Sequence, residues 1–160
     1  MSKTSTGEPI EAPGFEGRYG ETEGYTIGFE RYTEHADMAP LFVGLPEDRC
    51  QSPHWGYVVK GKLVYHTAGG DIEVIDGEAY YVGPGHTPEI FPDTEIVEFS
   101  PTAELNETME VVTKNLGSMG WPTPIVTEIA PAGLGVRPVR HPKALRVPLT
   151  KERNLSGGLG

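Results

Sequence analysis

The stretch Cys50-Gln-Ser-Pro-His54-Trp-Gly-Tyr-Val-Val-Lys-Gly61, with Gly77-Glu-Ala-Tyr-Tyr-Val-Gly-Pro-Gly-His86 beginning sixteen residues after Gly61, decides how this chain is read. Both halves set aromatic and β-branched residues between glycine turns, the composition of short strands. Pro53 lies between Cys50 and His54, so the two cannot share one helix face at i, i+4 spacing. They belong to the end of one element and the start of the next, and His86 follows a Pro-Gly turn on a third. A small antiparallel barrel brings residues so placed to one interior point.

Working outward, the β pattern continues on both sides. In residues 24–33, Tyr25, Ile27 and Phe29 alternate. Residues 55–59 and 62–66 flank Lys60-Gly61, which predicts a hairpin because glycine accepts positive φ. Further strands are expected at 72–75, 79–82 and 95–99, the last with Val97 and Phe99 on one face. Strands this short and closely spaced predict a closed or double-sheet antiparallel architecture. Residues 101–116 alone read as helix, with Ser100 as N-cap and Leu105, Met109, Val112 and Leu116 as an apolar stripe ended by Gly117. The predicted organisation is a disordered tail over 1–14, a barrel plus helix over 15–116, and a proline- and glycine-rich arm over 117–160. The arm's Trp121, Ile125, Val126 and Ile129 are too apolar for a purely solvated tail, and it is expected to pack on the barrel or on a partner subunit.

Composition narrows the function. With 21 glycines and 15 prolines in 160 residues, turns and short strands are favoured over long helices. A formal charge of −10 argues against nucleic-acid binding, which needs clustered Lys and Arg; the basic residues are scattered apart from Arg137, Arg140, Lys143, Arg146, Lys151 and Arg153, read as a solvated tail. No apolar run reaches the length of a membrane span, and the first residues lack a signal-peptide core. One cysteine permits no internal disulfide, which points to a reducing cytoplasm.

Cys50, His54 and His86 are the candidate metal ligands. A thiolate and two imidazoles suit a divalent ion, zinc first, in a tetrahedral site with one position open; iron, copper and manganese are compatible. Asp48, Tyr57, Tyr80, Glu89 and Phe99 are candidate pocket residues around that point. Each has an ordinary alternative: Cys50 as a small core hydrophobe, the histidines as hydrogen-bonded interior groups, Asp48 as a turn carboxylate, Glu89 as a solvent-facing one, and the aromatics as core. His35, His66 and His141 are assigned no part in the site. No Gly-x-Ser-x-Gly elbow or triad context supports nucleophilic hydrolysis.

The two motifs resemble the signature of the cupin superfamily, in a divergent single-domain bacterial form. The family's first motif places two His one residue apart, then Glu, then Gly; here these positions hold Asp48, Cys50, His54 and Gly61. In the second motif Gly77 and Gly85 match, Gly83 stands at the family's Pro and Pro88 at its third His, with His86 two residues before. The resemblance spans roughly residues 25–116 and implies an all-β antiparallel jelly-roll β-barrel with one short C-terminal helix. It also implies a metal-binding barrel holding a small organic molecule, with dioxygenase, isomerase or lyase chemistry among the family's activities, and pairing as a homodimer. The competing reading is a non-catalytic binding or sensing module without essential metal.

Overall fold

The structure, a computed structural model, describes residues 1–119. Ten strands form two antiparallel sheets. One sheet has six strands in the order β1 (Ile10–Ala12), β2 (Phe15–Thr22), β3 (Tyr25–Tyr32), β10 (Thr94–Pro101), β5 (His54–Lys60) and β8 (Ala79–Val82). The other has four, in the order β4 (Ala36–Asp37), β9 (His86–Ile90), β6 (Lys62–Thr67) and β7 (Gly70–Ile75). Packed face to face, they make the jelly roll expected from the sequence, and helix α1 (Thr102–Ser118) follows β10 directly.

The inner faces meet over Val58, Leu63, Val74, Val82, Ile90 and Ile96, all buried. At roughly 1.5–3 kcal/mol for each such side chain, these contacts hold the sheets together. A smaller apolar cluster, Leu41, Phe42, Cys50 and Val112, docks α1 against the short 3-10 turn Ala39–Phe42. Asn115 reinforces it by donating from Nδ2 to the carbonyls of Leu41 and Val43, at 2.8 and 2.9 Å.

Four expectations are corrected. The segments about Lys60-Gly61 do not form a hairpin: β5 pairs with β10 and β8, whereas β6 pairs with β7 and β9. Gly61 is where the chain leaves one sheet for the other. Its φ is 90°, and a Cβ there would lie 2.5 Å from Thr94 Oγ1. Residues 10–12, expected in a disordered tail, form β1 against β2, and Thr6 is buried. The helix includes Gly117, and Ser100 does not cap it, because the Ser100 hydroxyl points inward to His54. The fourth correction concerns sidedness. The alternating apolar residues of β3, β5, β8 and β10 face outward, so Trp55, Tyr57, Tyr81 and Phe99 are exposed. The residues of the predicted arm beyond 119, His141 among them, lie outside the described residues.

Candidate metal centre

The inward faces of β3 and β10 carry what their apolar outward faces exclude. Cross-strand pairing sets Glu30 opposite Ile96 and Glu98 opposite Gly28, so the two carboxylates are diagonal neighbours on the interior face. Buried carboxylates need donors, and tyrosines supply them. Tyr19 and Tyr32 donate to Glu30 at 2.7 and 2.8 Å, and Tyr65 and Tyr80 both donate to Glu98 at 2.8 Å. Gly56 leaves room for the Tyr80 ring, which a Cβ would strike. Burial, followed by the neighbouring charge of Glu98, pushes Glu30 up to about 7. Burial also raises Glu98, against the pull of its two phenols.

This network ends at the histidines. His54 opens β5, and its Nδ1 stands 2.7 Å from Ser100 Oγ and 3.1 Å from Glu98 Oε1. With Glu98 ionised its oxygens only accept, so Nδ1 carries the hydrogen and Nε2 presents a lone pair to Cys50 Sγ, 3.4 Å away. His86 opens β9 beside Cys50, to whose backbone it is bonded: Cys50 N–H donates to the His86 carbonyl at 2.8 Å. Its Nδ1 donates to the Gly83 carbonyl at 2.7 Å, a bond that the Gly83-Pro-Gly85 turn makes possible and Arg49 steadies by donating to Gly85 O. His86 Nε2 is therefore a second bare lone pair, buried and without a partner. Sγ of Cys50 and one nitrogen of each histidine all lie within 4.8 Å of one another.

The three residues are almost closed to solvent, at 2%, 6% and 1% exposure for Cys50, His54 and His86. Burial holds the Cys50 thiol up to about 11 and both imidazoles down to about 4. The imidazoles are thus neutral, the form that ligates a metal, and an ion would have to displace the thiol proton. A carboxylate behind one ligating histidine and a backbone carbonyl behind the other is the outer-shell arrangement that metal-binding histidines use. The donor set, its tautomers and the orphaned His86 Nε2 fit an ion.

Of the other predicted pocket residues, only Tyr80 is inside. Asp48 is an exposed turn residue accepting from Gly44 N–H at 2.8 Å. Tyr57 and Phe99 stand on the outer face, because their neighbours along the strand, Val58 and Ser100, take the inner one. Glu89 is on the outer face of the four-stranded sheet, bonded to His35 at 2.8 Å and His66 at 3.1 Å. Nothing in the sequence singles out Glu30 or Glu98, and Ser100 stands out there only as a helix cap. Strict alternation puts Glu98 on the face opposite Val97 and Phe99, and in this protein the apolar face of β10 is the outer one.

No family model matches the chain, and no curated protein matches it. Among solved structures it is similar to an RmlC-like cupin from Shewanella frigidimarina, at 16% identity and TM-score 0.46 over 63% of this chain and 88% of that one. It is similar also to the EutQ protein of Clostridium difficile, at 14% identity and TM-score 0.42 over 59% and 76%. A third is KdgF from a Halomonas species, at 16% identity and TM-score 0.40 over 59% and 86%. The superfamily that the two motifs resemble is thus named among the structural neighbours, and at this degree of similarity nothing about chemistry follows.

Proposed function

We propose that this protein binds a divalent metal ion, zinc by preference, through Cys50, His54 and His86, and that the ion serves a structural or sensing role. The observation that carries this reading is His86 Nε2, a buried nitrogen whose hydrogen lies on the opposite side of the ring and whose lone pair has no partner. Two imidazoles and a thiolate are nitrogen and sulfur donors of the kind zinc selects. A non-catalytic role is favoured over turnover of an organic substrate in the barrel, because Tyr19, Tyr32, Tyr65 and Tyr80 occupy its interior. The two clefts described within residues 1–119 lie elsewhere, one along Ile72, Glu73 and Tyr81 and one along Glu11, Phe15 and Arg31. A buried thiol ligand also suits a reducing cytoplasm. Among the described residues no helix is long and apolar enough to cross a membrane.

The test is metal content after purification without added metal, followed by zinc titration of the apo-protein. One ion per chain is expected, with loss of stoichiometric binding in Cys50→Ser, His54→Ala and His86→Ala. Unchanged stoichiometry in all three variants would remove the assignment.

A homodimer is part of the same proposal. Tyr25, Trp55, Tyr57, Val59, Tyr81 and Phe99 are each 41–53% exposed on one face of the larger sheet. Trp55 packs against both Tyr25 and Tyr81, with ring centroids 6.3 and 5.0 Å apart. At ~200 Å² per aromatic side chain, the patch leaves on the order of 500 Å² of apolar surface open. That is the centre of a symmetric interface of about 800 Å² per partner. Light scattering at micromolar concentration should report twice the chain mass, and a monomer would refute it.

A further inference from the structure

Among the described residues two buried side-chain atoms have no hydrogen-bond partner, His86 Nε2 and Thr108 Oγ1. They meet at the same place. Thr108 is on α1, one helical turn before Val112, which packs in one cluster with Cys50. Buried one turn apart on the face of α1 that covers Cys50, Thr108 and Val112 bring the Thr108 hydroxyl within reach of the sulfur, where it favours the thiolate. A threonine within a helix ordinarily returns its hydroxyl to the carbonyl one turn back, but Thr108 does not, and it is only 2% exposed. A buried hydroxyl left unpaired costs about 1–3 kcal/mol.

We infer that Thr108 is a positioning residue of the metal centre, its hydroxyl donating to the Cys50 thiolate that forms when the ion binds, so that metal loading clamps α1 to the barrel. The inference rests on the metal-binding reading. Without an ion the Cys50 S–H is itself a donor, directed at His54 Nε2 and at the Ser52 carbonyl, 3.4 and 3.7 Å away. When an ion binds, the S–H bond breaks as the sulfur–metal bond forms, and the proton leaves to solvent. The sulfur then has lone pairs to offer and no hydrogen, so it accepts the Thr108 O–H. The ion meanwhile takes the lone pair of His86 Nε2. One binding event satisfies both orphaned atoms. A neutral hydroxyl is not among the usual zinc ligands, whereas a thiolate accepting a side-chain donor follows the outer-shell pattern of the two histidines.

The consequence is mechanical. His54 opens β5 of the six-stranded sheet and His86 opens β9 of the four-stranded one, so an ion shared with Cys50 would fasten α1 to both sheets through one point. Its other fastenings include the Leu41, Phe42 and Val112 contacts, the two Asn115 hydrogen bonds and, at its first residue, the Thr26–Thr102 hydroxyl pair.

The full-length protein is titrated with cobalt, whose thiolate charge-transfer band reports the sulfur directly, and compared with Thr108→Val and Thr108→Ser. Thr108→Val is expected to weaken cobalt binding by about 10- to 100-fold and to shift the band; Thr108→Ser should restore both. Cobalt should increase hydrogen-exchange protection of residues 102–118 in the wild type and the serine variant but not in the valine variant. Thr108→Ala provides a second hydroxyl deletion should the valine variant fold poorly. Wild-type affinity and an unshifted band in the hydroxyl-deleted variants would overturn the role of Thr108 while leaving the metal site intact. Absence of any cobalt–thiolate band in the wild type would remove the metal reading and this inference with it.

Discussion

Replacing Glu30 with Gln should flatten the dependence of stability on pH between 4.5 and 7. In the folded protein Glu30 is held among Tyr19, Tyr32 and the neighbouring Glu98, and burial with that second charge lifts it from 4.5 to about 7. In the unfolded chain it titrates as an ordinary glutamate. Between those two values the folded state keeps a proton that the unfolded state has released, so stability falls as pH rises and levels off above 7. The difference amounts to about 3 kcal/mol lost across the window. His54 and His86 act oppositely: burial lowers them to about 4, so they add stability as pH rises from 4 toward 6.5. Both proteins share that contribution, and subtracting one profile from the other removes it. Urea unfolding at pH 5 and pH 7.5, with a chelator present so that no ion contributes, gives the four stabilities required. The wild type should lose about 2.5 kcal/mol more than Glu30→Gln between the two pH values, since pH 5 already lies inside the window. Equal losses would show that Glu30 ionises normally, and the account of a proton-holding tyrosine–carboxylate interior would fail.

Glu98→Gln should weaken zinc binding by about tenfold, because an amide holds the His54 Nδ1–H less firmly than a carboxylate does; competition with a chromophoric chelator measures it. Gly61→Ala should destabilise the fold by about 2 kcal/mol, since a φ of 90° is strained for alanine and its Cβ would press on Thr94; the urea midpoint reports this. Trp55→Arg combined with Tyr81→Arg should convert the proposed dimer to a monomer with the far-ultraviolet circular dichroism unchanged, and a dimer that persists would place the interface elsewhere.

The strands and turns were legible in the sequence because glycine and proline mark each strand end. Gly61 and Gly77 were both recognised as turns. What they connect was not legible, since a tight turn within one sheet and a crossing between two sheets use the same residue with the same positive φ. The approach of Cys50, His54 and His86 could be read from Pro53 and the Pro84-Gly85 turn, which keep the three on separate elements. Orientation was the harder matter. Tyr25, Ile27 and Phe29 alternate cleanly, and apolar alternation ordinarily marks the core side. Here it marks the outside, and Glu30 and Glu98 lie within, made tolerable by four phenols from β2, β3, β6 and β8 that only the folded chain assembles. The same pattern therefore points Tyr57 and Phe99 at the pocket and hides Glu98. Thr108 was hidden for a different reason: within a helix pattern, a threonine between Leu105 and Val112 carries no sign of what lies beneath it.

The outward position of Trp55 changes what tryptophan fluorescence reports in this protein. An indole that sits in a core emits at longer wavelength once the chain unfolds. Trp55 is already 42% open to water in the folded subunit, beside Tyr25 and Tyr81. With Trp121 replaced by Phe to silence the second indole, emission would follow dilution rather than denaturant. It would be blue while the aromatic face is covered and red once subunits separate, with the fold still intact. The tyrosines of the interior, quenched by the carboxylates they bond, would brighten only when the barrel itself opens. Two intrinsic dyes, one outside and one inside, would thus report assembly and unfolding separately.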